Sequence, residues 1–597
     1  MNPTENRTGT RSRSPARRSF RREMPARVTK KADDIIPKSG DNIRIIPLGG
    51  VEEIGKNMTV VEYKNDILVI DCGFQFKDDN TPGVDYILPN IKYLEDNKDR
   101  IRGVLVTHGH LDHIGGIPYV MNRIGNPPIY TRNLTAIMIK KRQEEFQHLP
   151  ALDIRVVEKE DSIRLGELKV RFFSVTHTIP DSMGLIIDTP YGSIVTPGDI
   201  KLDHDDGVPT EAEEKEYSRF AKENILLLMM DSTNVDNPGF STPERIVGKN
   251  LEEIIKNTKS RLIIGTFASQ LERIIKIIIA AEKYGKKVVL EGRSMKNNIE
   301  IAIGTGMLKI KKETIISGEE MENYPPDKII VLATGAQGDE FAALMRMSNR
   351  THKNFRITPR DTVLLSSSII PGNEKAVEKL KDNLARQGAK IIHYRTSDVY
   401  IHSTGHGNRG ELEWIHKKIH PKFFMPMHGN HYRLRIHEDL AHALGMPAEN
   451  VIVPDNGAIL EIQNAGQKFV RLKESAPNSM MMVDGFSVGD VSELVIRDRK
   501  MLAQDGMFVI IASINTKTGK LKKSPDIISR GFVYLRESQD LLGQARLIIK
   551  NTVEETTHGM NPINFDFVKT QVADQISRFL FQKTAKRPIV IPVILGV

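Results

Sequence analysis

From residue 42 onward the chain is punctuated by short apolar runs, rich in Ile and Val and separated by Gly, Asn and Pro: NIRIIPLGG, MTVVEY, DILVIDCG and, further on, IRGVLVT. β-Branched runs of this length bounded by turn formers predict strands, here a meander followed by a buried strand. IPYVMNRI reads as a helix, LKVRFFSVT and GLIID as strands, and SIVTPGD as a strand that ends in an acidic loop. Polar residues gather at the strand ends. Between about 241 and 405 the period changes. PERIVGKNLEEIIKNT and QLERIIKIIIAAEKYG carry apolar residues at helical spacing and alternate with RLIIGTF, KKVVLEG, KIIVLATG and DTVLLSSS. That alternation predicts an α/β unit around a mostly parallel sheet. A helix bearing the sole tryptophan, Trp414, and then the strand, loop and helix of KFFMPMHGNHYRLRIHEDLAHAL return to the style of the first region. The Met-rich NSMMMVDGFSVGD, 478–490, is expected to be a linker, and 491–597 a last small α/β unit; no internal repeat is found.

Composition narrows the class. A chain of 597 residues is expected to divide into three or four units. No apolar run approaches the ~18–20 residues that span a bilayer, and the start lacks the apolar core of about 7–15 residues of a secretory signal. A cytoplasmic chain without membrane association is therefore expected. The single cysteine, Cys72, excludes an intrachain disulfide framework. Of the net charge of +9, +7 resides in residues 1–40, which hold 11 Lys/Arg against 4 Asp/Glu. RTGTRSRSPARRSFRRE offers almost nothing to bury, so this tail is expected to be disordered, serving either as a solubilising terminus or as a polyanion-binding arm.

The concentrated chemistry lies in LVTHGHLDHIGG, residues 105–116, which sets His108, His110, Asp112 and His113 within six positions after an apolar run. A strand projects alternate residues to one side, so His108 and His110 converge on one point while Asp112 and His113 turn toward a neighbouring one. Two metal sites are implied. Imidazole nitrogen and carboxylate oxygen are the ligands zinc takes where thiolates are lacking. Four ligands cannot fill two sites, and three further residues follow strand-length runs: His177 after RFFSVT, Asp199 after SIVTPG and His428 after KFFMPM. A carboxylate such as Asp199 suits a bridge between two cations about 3.5–4 Å apart.

Other patterns compete less well. His416 and His420 lie i,i+4 on a predicted helix but have no third ligand in view, and a solvated helix face is expected for them. HEDLAH spaces His437 and His442 five apart, against the four of the zinc-protease helix. ATGAQGD lacks the Lys-Ser/Thr of a nucleotide-triphosphate loop.

THGHLDH after a buried strand, with the later His, Asp and His, resembles the metallo-β-lactamase superfamily, and an α/β insert between Asp199 and His428 resembles a β-CASP domain. PLGGVEEIGKNM, IDCGFQF, LMMDSTNVDNPGFSTPE, GTFASQLERI, ATGAQGDEFAAL, SSSIIPGNE and PMHGNHYRL narrow the resemblance to the ribonuclease J family. It covers about 45–460, and the extra C-terminal domain matches too. Two departures are the family's Ser-Gly-His appearing as Thr404-Gly405-His406, which keeps the hydroxyl, and the Arg-rich tail.

The resemblance implies an α/β architecture: an αββα metallo-β-lactamase sandwich over 42–240 and 406–477, with a β-CASP domain at 241–405, a basic tail at 1–41, a linker at 478–490 and a C-terminal domain at 491–597. It implies a ribonuclease active 5′ to 3′ on 5′-monophosphorylated single-stranded RNA and also endonucleolytic, serving rRNA processing and mRNA decay. Two zinc ions per subunit, with manganese or magnesium as alternatives, would sit on His108, His110 and His177 and on Asp112, His113 and His428, with Asp199 shared. Asp231 would orient a ligand or water. His402, Ser403, Thr404, Gly405 and His406 would grip the substrate, with Ser366, Ser367 and Ser368 along the same cleft. His406 either protonates the leaving oxygen or only binds. Homodimers or homotetramers, and association with other RNA-decay proteins, follow from the same likeness. The rival readings are a β-CASP DNA nuclease and an inactive RNA-binding scaffold, the second disfavoured because all seven ligands are present.

Overall fold

The structure, a computed structural model, describes residues 36–76, 81–338, 342–370, 373–485, 487–489, 493–533 and 538–597. All but the last few residues of the Arg-rich tail lie outside that range. Two sheets face one another in the first region. One has eight strands in the order Lys468–Ser475, Ala458–Gln463, Ile43–Gly49, Met58–Tyr63, Asp66–Ile70, Ile101–Leu105, Ile129–Thr131 and Ile154–Val156. The other has six, Phe423–Met427, Ile225–Asp231, Gly192–Thr196, Met183–Thr189, Leu168–Ser174 and Ser162–Leu165. Alternation decides what each strand buries. Phe172 points into the layer between the sheets with Ile45, Val61, Leu105, Ile194 and Met425, whereas Phe173 points outward onto Phe220, Tyr217 and Leu228. Every residue of Met58–Tyr63 and Asp66–Ile70 is buried, so the eight-stranded sheet is covered on both faces. The sequence 458–475 contributes two strands to that sheet, so the chain returns to the first region after its insert.

The insert is the alternating unit expected. Its six strands, ordered Ile315–Ile316, Lys287–Glu291, Ile329–Ala333, Leu262–Gly265, Thr362–Leu365 and Lys390–His393, pair in parallel throughout. Helices Glu244–Asn257, Leu271–Lys283 and Arg293–Gly304 pack through one apolar cluster and Ala343–Ser348 and Glu374–Arg386 through another, which is why its strands read as unbroken apolar runs. The last unit lays helices Gln539–Thr557 and Phe565–Thr584 against strands Asp526–Arg530, Met507–Ile514 and Ile589–Gly596. No helix among the described residues is long and apolar enough to cross a membrane.

Three expectations need correction. IPYVMNRI is helical only over Ile117–Val120. The stretch 478–490 carries strands Met481–Asp484 and Ser487–Gly489, and the first pairs with Tyr86–Leu88; Met481 and Val483 are buried, which the Met-rich composition concealed. His416 is not on a solvated face: it is 5% exposed and packs on Phe424 and His437. One apolar face of helix Arg409–Ile419 covers the six-stranded sheet, and His416 falls on it.

Candidate metal centre

In the six-stranded sheet, strands Leu168–Ser174, Gly192–Thr196, Ile225–Asp231 and Phe423–Met427 all run the same way. Their C-terminal ends carry His177, Asp199, Asp231 and His428. In the facing sheet, Asp66–Ile70 and Ile101–Leu105 are parallel, and the loops beyond them bring up Asp71 and the 108–113 segment. Ligand sites gather at the carboxyl ends of parallel strands, and here two sheets present such ends to one cleft.

His108 Nε2 stands 3.0 Å from His110 Nδ1, which stands 3.1 Å from His177 Nε2. Asp199 Oδ2 lies 3.6 Å from His108 Nε2 and 3.8 Å from His177 Nε2. Its other oxygen, Oδ1, lies 3.3 Å from His113 Nε2 and 2.9 Å from His428 Nδ1. A tetrahedral zinc with bonds of about 2.0–2.1 Å has ligand-to-ligand edges of about 3.3 Å, so both groups have the spacing of a coordination shell with Asp199 common to them. Asp199 Oδ1 and His428 Nδ1 are moreover buried with no hydrogen-bond partner. Two such atoms left at 2.9 Å without a bond between them are costly unless a cation takes their lone pairs. Asp112 sits at the rim, half-buried, with Oδ2 3.6 Å from His113 Nε2 and 3.4 Å from Asn57 Nδ2.

Three of the imidazoles are oriented through their other nitrogen. His177 Nδ1 donates to the Gly405 carbonyl at 2.7 Å, His113 Nδ1 to Asp71 Oδ2 at 2.8 Å, and Thr107 Oγ1 lies 3.0 Å from His108 Nδ1. Such partners fix the tautomer and aim of a ligand. Burial, helped by the neighbouring imidazoles, pushes His108 and His177 well below the ordinary histidine pKa and lowers His110, so the neutral, lone-pair-bearing form prevails. Burial also opposes charge on His113 and Asp199, but each is the other's counter-ion: His113 is raised well above its usual value, with Asp71 adding to Asp199, and Asp199 is held well below its own.

His406 Nδ1 is 2.6 Å from Asp231 Oδ2, and its Nε2 is 3.8 Å from Asp199 Oδ2. Against burial, Asp231 and Asp199 raise His406 to about 9. The neighbouring hydroxyls are already engaged. Ser403 Oγ bonds Lys201 Nζ at 3.0 Å and the Thr242 carbonyl, and Thr404 Oγ1 accepts from Asn234 Nδ2 at 3.0 Å. Ser366 Oγ is likewise taken by the Ile401 carbonyl at 2.7 Å, and Ser367 and Ser368 face Gln337. His402 differs. Its Nδ1 accepts from Arg273 Nη1 at 2.8 Å, so Nε2 carries the hydrogen, and that buried donor has no partner.

The supports of this loop were not singled out in the sequence. Lys201 and Arg273, both buried, hold it from the two sides; Arg273 also reaches the Ser403 carbonyl at 3.0 Å and pairs with Glu244. Asp71 follows an apolar strand as the other site residues do, and that position is the signal that marks it. Arg273 lies within GTFASQLERI, but nothing in that stretch shows that its side chain reaches the 402–404 loop.

Two face-packed sheets with His and Asp clustered at their strand ends, and a parallel α/β unit inserted before the last histidine, define a metallo-β-lactamase fold with a β-CASP-type insert. Residues 52–231 match the metallo-beta-lactamase superfamily, 259–384 the ribonuclease J beta-CASP domain and 494–597 the ribonuclease J C-terminal domain. The chain is similar to ribonuclease J2 of Bacillus subtilis, 34% identical over 94% of this chain and 100% of that one. Ribonuclease J 1 of Streptococcus pyogenes serotype M3 is 34% identical over 93% and 98% of the two chains, and ribonuclease J of Corynebacterium glutamicum 36% over 94% and 77%. The chain belongs to the ribonuclease J family. A solved structure, of a protein of unknown function from Enterococcus faecalis V583, shares the fold with a TM-score of 0.50 at 18% identity, over 70% of this chain and all of that one. Membership implies divalent-metal binding, for which the His and Asp clusters are the candidates.

Proposed function

We propose that this chain is a zinc-dependent ribonuclease that degrades single-stranded RNA 5′ to 3′ from a 5′-monophosphate and also cleaves internally, in rRNA processing and mRNA decay in the cytoplasm. The observation that carries this is the convergence of five imidazoles on the two oxygens of Asp199. His108, His110, His177 and Asp199 would hold one zinc, and His113, His428, Asp112 and Asp199 the other. Zinc bound there supplies Lewis-acid activation of water near neutral pH and offsets phosphodiester charge, a role manganese or magnesium can share.

The chain's own residues do the rest. Asp71, Thr107 and the Gly405 carbonyl aim the imidazoles. The unpartnered His402 Nε2–H offers a phosphate oxygen a donor in a dry wall, where such a bond is worth most. Gly405 brings the backbone close: a Cβ there would lie 2.8 Å from the His177 ring. The main chain of Ser403 and Thr404 shapes the pocket while their hydroxyls brace it. His406, oriented by Asp231, presents Nε2 toward the cleft, where it protonates the leaving 3′ oxygen. A His406→Ala chain that keeps its zinc but turns over unchanged removes it from that role. The ribonuclease names of the relatives favour RNA, and dimers or tetramers are expected.

The test is a time course with wild type and Asp112→Ala on single-stranded RNA bearing a 5′-monophosphate, its 5′-triphosphate counterpart and an all-DNA counterpart. Mononucleotides released from the monophosphorylated RNA alone, and lost in the variant, support the proposal. Degradation of the DNA alone moves the chain to a DNA nuclease; no cleavage leaves an RNA-binding scaffold.

A further inference from the structure

Behind the Asp231 loop, three polar side chains form a file through otherwise apolar packing. Ser232 Oγ stands 2.8 Å from His437 Nδ1, and His437 Nε2 stands 3.3 Å from His416 Nε2. Ser232 and His437 are fully buried and His416 nearly so. The Phe424 ring packs on both imidazoles, with centroids 4.6 and 4.7 Å away, and Ile415, Leu440 and Ala441 close the surroundings.

Buried donors and acceptors in such a place cost about 1–3 kcal/mol each when unpaired, so the file must satisfy itself. Two facing Nε2 atoms share one hydrogen. Either His416 donates to His437, whose Nδ1–H then donates to Ser232 Oγ, or the Ser232 hydroxyl donates to Nδ1 and His437 Nε2–H donates to His416. Both arrangements use neutral rings, and burial lowers both histidines accordingly.

The file ends on the segment that carries the chemistry. Ser232 N–H donates to the Met427 carbonyl at 2.8 Å, and Thr233 Oγ1 donates to the His428 carbonyl at 2.9 Å. Asp231, one residue before Ser232, takes His406. His428 has φ 53, in the left-handed region a β-carbon disfavours, and such a conformation persists only where its surroundings hold it. His437 lies on helix His431–Ala443, which begins three residues after His428, and His416 on helix Arg409–Ile419, which begins three residues after His406. One polar file therefore ties both helices to the loop between them.

We infer that His416, His437 and Ser232 are positioning residues of the metal centre, locking the Asp231–Thr233 loop so that His428 and Asp231 keep their aim. The inference rests on the metal reading above, and its test separates the two. Zinc affinity is measured by equilibrium dialysis, alongside kcat and KM, for wild type, Ser232→Ala, His437→Leu, His437→Asn and the Ser232→Ala/His437→Leu double variant; Leu440→Ala serves as a control that loosens the same packing without touching the file. Loss of such a supporting partner typically costs about 10–100-fold in metal affinity or activity.

Ser232→Ala and His437→Leu are expected to weaken the more loosely held zinc and lower kcat on that scale with KM little changed. The double variant should be no worse than either single one, because both cut one linkage. His437→Asn, whose amide replaces Nδ1, should recover most of the loss, and Leu440→Ala should lower the melting temperature without changing zinc affinity. Should His437→Leu fail to fold, Ser232→Ala decides alone. Folded Ser232→Ala with wild-type zinc affinity and kcat overturns the inference, as does an equal zinc loss in Leu440→Ala. A wild-type chain that binds no zinc overturns the metal reading itself.

Discussion

Replacing Arg273 by Met tests how the two halves of the cleft are joined. The guanidinium is fully buried and forms a fork with Glu244, Nε to Oε1 at 2.7 Å and Nη2 to Oε2 at 2.6 Å. It also donates to the Ser366 carbonyl at 3.2 Å, the Ser403 carbonyl at 3.0 Å and His402 Nδ1 at 2.8 Å. Met fills much of the volume but supplies no donor, so a carboxylate whose side chain is only 12% exposed and the Ser403 carbonyl lose their partner, while the Ser366 carbonyl keeps Thr266 Oγ1 at 3.2 Å. Breaking a buried ion pair from one side costs about 3–5 kcal/mol, most of it the stranded charge. For a unit of about 150–250 residues each kcal/mol lowers the melting temperature by about 2–4 °C, so a fall of about 10 °C is expected. Glu244→Gln in the same chain removes the stranded charge, and the double variant should melt well above Arg273→Met. Differential scanning calorimetry of the four chains closes the cycle. Arg273→Met melting with wild type, or losses that simply add in the double variant, refutes the reasoning.

The remaining expectations concern the pH response, the loop and the tail. Burial alone lowers His416 to about 3. Between that value and the unfolded pKa of about 6.5 the unfolded chain binds the extra proton, so this stability is present above pH 6.5 and is lost as pH falls, about 2 kcal/mol of it by pH 5. Urea unfolding of His416→Gln against wild type should show a shallower decline by about 1.4 kcal/mol per pH unit across that window; parallel declines contradict this. A Cβ at Gly73 would lie 1.6 Å from the Asp112 carbonyl oxygen, so Gly73→Ala should displace the 108–113 loop and cut zinc binding in equilibrium dialysis, whereas wild-type binding would mean the loop gives way freely. Deleting residues 1–40, with their +7, should weaken RNA binding and flatten its dependence on salt; an unchanged salt slope retires a polyanion-binding tail.

The cleft was legible because it is built from strand ends. His177, Asp199 and His428 each follow an apolar run of strand length, and parallel strands place such positions side by side. Local pattern also gave the insert, whose helices and strands differ in period. What it could not give were pairings between distant segments. Lys201 and Arg273 owe their roles to contacts with a loop 202 and 130 residues away in sequence. His416 and His437 looked like unrelated helix-borne histidines, 21 residues apart, until two helices folded onto one sheet brought their Nε2 atoms together. The hydroxyls of Ser403 and Thr404, apt for phosphate by residue type, are engaged by Lys201, Thr242 and Asn234, and a motif read alone cannot show which of its atoms remain free.

The most direct test of the account is the zinc content of the purified chain by elemental analysis, read beside its cleavage of 5′-monophosphorylated single-stranded RNA. The account predicts two zinc ions per chain, one in His428→Ala, and cleavage lost in that variant. A chain freed of metal by chelation that cleaves the RNA at the wild-type rate would contradict it.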